Sequence, residues 1–227
     1  MDAATAAFRS QYRASIGPGY NGWLHGLWIV GLALGLSAGA LWRSGGGLPV
    51  WLSLWAALLV SHFGEWWLHK NALHRRRRGL SVLWHRHTVQ HHHYFTATAM
   101  PIFGHRECRI VLFPPYALVL LALIHAASAA LWSLPFGAAA GYGYFAGGLL
   151  HYFAYELFHF AAHLPDWNWL RRVPLINTVR RHHREHHRHE AMAQCNFNLT
   201  PPFADWCLGG TDRKAGLLAT LFGGDPR

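Results

Sequence analysis

Four long apolar stretches constrain what this chain of 227 residues can fold into; they cover residues 23–42, 48–67, 110–134 and 136–160. Each has roughly the 20 residues that a helix needs to cross a hydrocarbon core of about 30 Å. Charged residues make up only 13% of the chain, against roughly 25% in soluble globular proteins. The sequence therefore predicts an all-α integral membrane protein in which four transmembrane helices form two hairpins.

The distribution of basic residues predicts how these helices are oriented. The two hairpin tips, residues 43–47 (RSGGG) and 133–137 (SLPFG), carry one charge between them, and the remaining segments hold nearly all the Lys and Arg. Basic segments next to spans stay on the cytoplasmic side. We therefore expect both termini to be cytoplasmic, in a single membrane domain over 1–227 with a cytosolic helical cap from 68–109 and 161–227.

The net charge of +10 and the run RRRR at residues 75–78 admit two interpretations. Lys and Arg that neutralise phosphates supply most nonspecific affinity for nucleic acids. Basic residues just beyond a span, however, also attract anionic lipid head groups and set the topology. The second interpretation fits the apolar stretches, and we expect no nucleic-acid partner.

Histidine is the residue type that carries the chemical information. Nineteen are present, and most lie in four boxes: HKNALH (69–74), HRHTVQHHH (85–93), HFAAH (159–163) and HREHH (183–187). Helix positions three or four apart share a face, so the third and fourth boxes can each aim imidazoles at one point. His69 and His74 are five apart, which is about 140° around an ideal helix. That pair can converge only beside a helix end or on a distorted helix.

The number of histidines indicates which kind of metal site they could form. Imidazole binds zinc, copper, iron and nickel, and a structural zinc site closes with four ligands. The boxes offer about ten ligands, enough for two ions, and a six-coordinate iron would keep a position for dioxygen. A soluble di-iron bundle would have two Glu-x-x-His motifs, whereas this chain has one, Glu156 to His159. A histidine-rich tail that binds metals nonspecifically, like an affinity tag, would explain residues 182–189 but not the pairs 69/74 and 159/163.

An ordered set of motifs extends the four boxes: GEWWLHKNALH (64–74), HHHYF (91–95), RIVLFPP (109–115), YELFHFAAH (155–163), HREHH (183–187) and NFNLTPPFADWCLGGT (196–211). This set resembles the membrane fatty acid hydroxylase and sterol desaturase superfamily of histidine-box di-iron oxygenases. It is most similar to the fatty acid 2-hydroxylase branch, and the resemblance covers roughly residues 64–211.

The resemblance implies ten metal ligands, namely His69, His74, His87, His91, His92, His159, His163, His183, His186 and His187. The second box departs from the HxxHH spacing usual in the branch; HxxxHH from His87 is the nearest fit, and a pair made by His92 and His93 stays open. Glu156 matches a position often held by Asp, and as a candidate catalytic-site carboxylate it could accept the free N–H of a ligand imidazole. We expect His105, His182 and His189 to lie at the surface.

The resemblance also implies a function. Two iron ions would activate dioxygen to hydroxylate a C–H bond of a lipid acyl chain, with fatty acid 2-hydroxylation as the first choice. Electrons would come from an external donor, a ferredoxin or a cytochrome b5-like protein, and zinc could replace iron in purified samples. Alternatives are hydroxylation or desaturation of a sterol or carotenoid-like lipid, a non-enzymatic membrane metal carrier, and a bis-histidine haem protein.

Overall fold

The computed structural model describes residues 1–224, and within that range the backbone is helical, with no strand beyond an isolated bridge between Thr96 and Ala99. The α-helices, in chain order, are α1 (Ala3–Ser15), α2 (Gly22–Ser44), α3 (Leu48–Leu68), α4 (Ser81–Trp84), α5 (His92–Tyr94), α6 (Cys108–Val111), α7 (Pro115–Phe136), α8 (Ala138–Ala162), α9 (Pro174–His186), α10 (Phe203–Cys207) and α11 (Leu217–Phe222). The all-α prediction is confirmed.

The chain divides into two compact units. The apolar unit comprises Trp23–Phe63 and Phe113–Glu156, and the histidine unit comprises Met1–Gly22, Gly64–Leu112 and Leu157–Arg227. The histidine unit contains the residues predicted to form the cap, 68–109 and 161–227, together with α1. A single domain with a cytosolic cap stays a prediction.

Three helices in the described part of the chain are long and apolar enough to cross a membrane: Gly22–Ser44, Leu48–Leu73 and Pro115–Phe136. The fourth predicted span corresponds to α8, which has 25 residues but is not among those three. Its apolar residues are interrupted by glycines and by His151 and Glu156, which lowers its hydropathy. A fourth span therefore stays a prediction.

The third span begins five residues later than the sequence suggested. It was expected from residue 110, but α6 ends at Val111, and Leu112 and Pro114 are extended, with ψ of 144° and 145°. A residue before proline is disfavoured in the helical region, and proline suits the first helical position. The Pro114–Pro115 pair therefore ends one helix and starts α7 at Pro115.

Two glycines of α8 allow it to pack closely on α3 within the apolar unit. A Cβ atom added at Gly143 would lie 2.2 Å from the carbonyl oxygen of Val50, and one at Gly147 would lie 2.4 Å from that of Leu54. Small residues four apart are typical of closely packed membrane helices. This contact fixes the separation of the two helices.

Candidate metal centre

Two π-helical turns bring histidines five residues apart onto one face. Residues His69–Leu73 and His85–His91 form π-helix, in which an N–H bonds the carbonyl five residues earlier. The amide of His74 donates to His69 O at 3.1 Å, and the amide of His92 donates to His87 O. The wider turn overcomes the separation of about 140° that an α-helix would impose. The first box is thus a distorted helix, one of the two arrangements the spacing allowed.

The first histidine group collects ligands from three of the four boxes. Its five members are His69, His74, His87, His92 and His186, and their ligand nitrogens all lie within 4.8 Å of one another. The shortest Nε2–Nε2 distances are 2.8 Å between His69 and His87 and 2.9 Å between His74 and His186. All five side chains are buried.

The second group takes its ligands from the second, third and fourth boxes. His91, His163, His183 and His187 again have ligand nitrogens within 4.8 Å of one another. The Nε2 atom of His159 lies 3.3 Å from that of His91, so this histidine borders the same group. The two groups adjoin, because the ring of His92 stacks on that of His187 with centroids 4.2 Å apart.

Backbone carbonyls fix the tautomer of five of these imidazoles. Because a carbonyl can only accept, the Nδ1 atom facing it must carry the hydrogen. The five pairs, with their Nδ1–O distances, are His69 with Phe197 (2.5 Å), His186 with Cys195 (2.9 Å), His187 with Phe95 (2.8 Å), His163 with Met100 (2.9 Å) and His91 with Ile110 (3.1 Å). In a neutral ring this leaves a lone pair on Nε2, directed into the group.

The resulting contacts between lone pairs indicate a cation site. His91 and His187 both donate Nδ1–H to carbonyls, yet their Nε2 atoms face each other at 3.2 Å. Neither neutral ring can donate a hydrogen across that distance, so the contact needs a positive charge between them. Two nitrogens at right angles, each about 2.1 Å from a shared ion, would lie about 3 Å apart. The donor set therefore fits first-row metal ions that bind imidazole.

Burial keeps the donor set neutral. Desolvation, reinforced by the neighbouring imidazoles, holds the pKa values of His87, His92 and His183 well below 6.5. Desolvation also lowers the pKa of His91 to about 3. A metal ligand must be deprotonated, so these rings are in the binding form at neutral pH.

The ten histidines predicted as ligands all lie in or beside the two groups, although the boxes do not correspond to sites one by one. In the second box, His87 and His92 belong to the first group and His91 belongs to the second. The fourth box is also divided: His186 joins the first group, whereas a single convergence point was expected. In the second box, His93 is exposed and its ring contacts Phe8. The geometry thus favours HxxxHH.

One surface prediction was wrong. His105 and His189 are exposed, but His182 has no exposed surface. Its Nε2 atom lies 3.1 Å from Oδ2 of Asp205, which is itself fully buried. The ring faces the segment 196–211 (NFNLTPPFADWCLGGT), to which Asp205 belongs, instead of solvent.

Glu156 has partners within the apolar unit. Its Oε1 accepts hydrogen bonds from the hydroxyl of Tyr152 at 2.5 Å and from the backbone N–H of Phe113 at 3.1 Å. Its predicted bond to a ligand imidazole stays a prediction.

The carbonyl partners of the imidazoles were missed by the sequence reasoning. They belong to residues of unrelated types, and a backbone carbonyl leaves no signal in residue identity. The sequence could have suggested only the segments that provide these carbonyls, because the segments lie next to the histidine boxes or to residues 196–211.

The fold and the site together define a helical protein with membrane-length helices and two buried groups of histidines that could bind metal ions. Comparison with known families specifies the class: the family model described as fatty acid hydroxylase matches residues 54–210. The chain belongs to the fatty acid hydroxylase family. Its function is therefore of the membrane lipid hydroxylase or desaturase type. Searches of curated proteins and of solved structures gave no match.

Proposed function

We propose that the protein is a di-iron oxygenase that hydroxylates a C–H bond of a lipid acyl chain. The facing Nε2 atoms of His91 and His187 carry this proposal, because both tautomers are fixed by carbonyls and only a cation reconciles the two lone pairs. The first histidine group would hold one iron ion and the second group, with His159, the other. The family match supports iron as the metal.

The overall reaction would consume one dioxygen, two electrons and two protons, and would convert R–H into R–OH with release of one water. Bound iron would supply the reductive activation of dioxygen. The chain's own contribution is to exclude water and hold the imidazoles in place: nine of the ten predicted ligands lie in two buried groups, and His159 is 2% exposed. A dry site protects a reactive oxidant from side reactions.

Within this reaction class we propose fatty acid 2-hydroxylation. Its support is the resemblance of NFNLTPPFADWCLGGT (196–211) and RIVLFPP (109–115) to that branch. Hydroxylation or desaturation of a sterol or carotenoid-like lipid is the alternative, because both reactions begin by removing hydrogen from an unactivated carbon.

The burial of the site argues against a metal carrier. A carrier must exchange its ion with the surroundings, whereas the two groups consist of buried side chains, five of which are held by hydrogen bonds to backbone carbonyls. Such pinning favours retention of the ion.

The electrons would come from an external protein, a ferredoxin or a cytochrome b5-like donor. Residues 75–78 (RRRR) are exposed and directly follow His74 of the first group. A basic surface complements an acidic donor and speeds its association. We further propose a multi-pass membrane location with both termini and the metal centre on the cytoplasmic side, on the basis of the positive-inside rule.

Metal content tests the first part of the proposal. Protein produced with ample iron is expected to contain two ions per chain. The double variant His87→Ala/His92→Ala removes ligands of the first group, and His183→Ala/His187→Ala removes ligands of the second, so each should retain one ion. The exposed pair His93→Ala/His189→Ala is the matched control and should retain two. None or one in the wild type would refute a dinuclear centre.

Product analysis tests the second part. Membranes that contain the protein, an electron donor and ¹⁸O₂ are expected to yield 2-hydroxy fatty acids with one labelled oxygen, and the two ligand-deficient double variants should yield none. A new double bond without the label would mean that the reaction is desaturation instead of hydroxylation. Label at another position or in a sterol would refute the 2-hydroxylase assignment.

A further inference from the structure

The segment 195–197 supplies two of the carbonyls that pin first-group histidines. Cys195 O accepts from Nδ1 of His186 at 2.9 Å, and Phe197 O accepts from Nδ1 of His69 at 2.5 Å. These histidines come from the first and fourth boxes. One short segment therefore orients ligands that are far apart in the sequence.

Asn196 lies between these two carbonyls in an unusual conformation. Its φ is 60°, and it is the sole non-glycine residue with positive φ among residues 1–224. Asn tolerates the left-handed region better than most residues. The conformation allows the residues on both sides to direct their carbonyls to the same histidine group.

The Asn196 side chain anchors the segment through bonds that glycine could not make. Its Nδ2 donates to His182 O at 3.1 Å and to Asp212 Oδ1 at 3.0 Å, and its Oδ1 accepts from the Asp212 amide at 2.9 Å. Its own amide donates to Gly210 O at 2.7 Å. The side chain is fully buried. Because His182 precedes His183 on α9, these bonds tie the segment to the helix that bears the fourth box.

We propose that Asn196 is a positioning residue for the first metal ion, acting through the carbonyls of Cys195 and Phe197. Loss of its anchoring bonds would free the segment, and the imidazoles of His69 and His186 would lose the fixed tautomer that directs a lone pair into the group. The carbonyls that accept from second-group histidines belong to Phe95, Met100 and Ile110, outside the segment 195–197. The effect should therefore be confined to the first group.

The test measures the release of zinc, used alone as the probe, from purified full-length protein to a chromophoric chelator. His183→Ala/His187→Ala disables the second group, so the remaining ion reports on the first; His87→Ala/His92→Ala provides the reverse background. Asn196→Gly keeps the positive φ but removes the side-chain bonds. In the His183→Ala/His187→Ala background it should speed zinc release by about 10–100-fold, the usual effect of losing an outer partner of a ligand. In the His87→Ala/His92→Ala background the rate should not change.

Asn168→Ala is the matched control in the same unit. It removes a single amide side chain, which caps the Trp169–Arg172 turn by accepting from the Leu170 amide at 3.0 Å, and it should leave both rates unchanged. A second variant, Asn196→Asp, retains tolerance of positive φ but loses the donors to His182 O and Asp212, so it should behave like Asn196→Gly. The absorption spectrum of cobalt in the first group should change in both variants.

Three results would overturn the inference: zinc release at the wild-type rate, equal acceleration at both groups, and an unchanged cobalt spectrum. The inference rests on metal binding by the first group, which is part of the proposed function, but not on the substrate. A wild-type chain that binds no ion would refute the proposed metal centre. Two ions held tightly in both wild type and Asn196→Gly would refute only the role of Asn196.

Discussion

Acidification should destabilise the metal-free protein well above the pH at which carboxylates titrate. Eight buried imidazoles outside the membrane-length helices have pKa values below 6.5, mainly through desolvation: His74, His87, His91, His92, His163, His183, His186 and His187. In the unfolded chain each returns to about 6.5. The unfolded state therefore binds more protons as the pH falls below 6.5, and the free energy of unfolding decreases.

The magnitude follows from the unfolded pKa alone. If a ring stays neutral in the folded state, lowering the pH from 7.5 to 6.0 costs about 1 kcal/mol for that ring. Several such rings together would cost several kcal/mol, a large part of the total stability of many domains, about 5–15 kcal/mol. Because the folded pKa of His91 is about 3, the contribution of this ring to the free energy of unfolding should continue to fall until the pH reaches that value.

The assay is chemical unfolding of chelator-treated protein in detergent, followed by tryptophan fluorescence at several pH values. Replacement of His183 by Asn should reduce the loss between pH 7.5 and 6.0 by about 1 kcal/mol, because one proton-binding ring is removed from the unfolded chain. His93→Gln, an exposed residue of the second box, is the matched control. An unfolding free energy that is the same at pH 7.5 and 6.0 would refute the reasoning, since equal protonation of both states would then be required.

Three further predictions concern packing, an ion pair and the candidate catalytic carboxylate. Gly143→Ala should destabilise the protein by about 1–3 kcal/mol in thermal unfolding, because the new methyl group overlaps the backbone of α3. Gly35→Ala is the control and should not destabilise it, because a Cβ atom at Gly35 meets nothing within 4 Å. Equal effects of the two substitutions would contradict the packing argument. Arg9→Met should cost about 1.5–3 kcal/mol by the same assay, since it removes a buried bond to Pro101 O and an ion pair with Glu107. The exposed Arg188→Met is its control at less than about 1 kcal/mol. Glu156→Gln should keep the metal content but lower turnover by about 10–100-fold, and wild-type turnover would exclude a role for the carboxylate.

Much of the fold could be read from local sequence. A helix needs a fixed length to cross a bilayer, so the apolar stretches predicted the existence of α2, α3 and α7 and, for α2 and α3, closely matched their bounds. The start of the third span was misplaced because hydropathy does not register the backbone restriction that Pro114 and Pro115 impose. The burial of His182 was missed for a related reason: a polar residue in a basic segment looks like surface until its partner Asp205, 23 residues later, is placed beside it.

Residue type established which side chains are available for the metal centre. Imidazole is a metal ligand and local periodicity shows which rings share a face, so the sequence pointed to the four histidine boxes, and the family resemblance then implied the ten ligands. How those ten divide depends on tertiary contacts. The π-turns at His69 and His87, the division of the second and fourth boxes between two groups, and the carbonyls of Cys195 and Phe197 all depend on contacts between segments far apart in the chain. Local periodicity describes one helix at a time, whereas the convergence of lone pairs on an ion is set by how several helices and loops pack together.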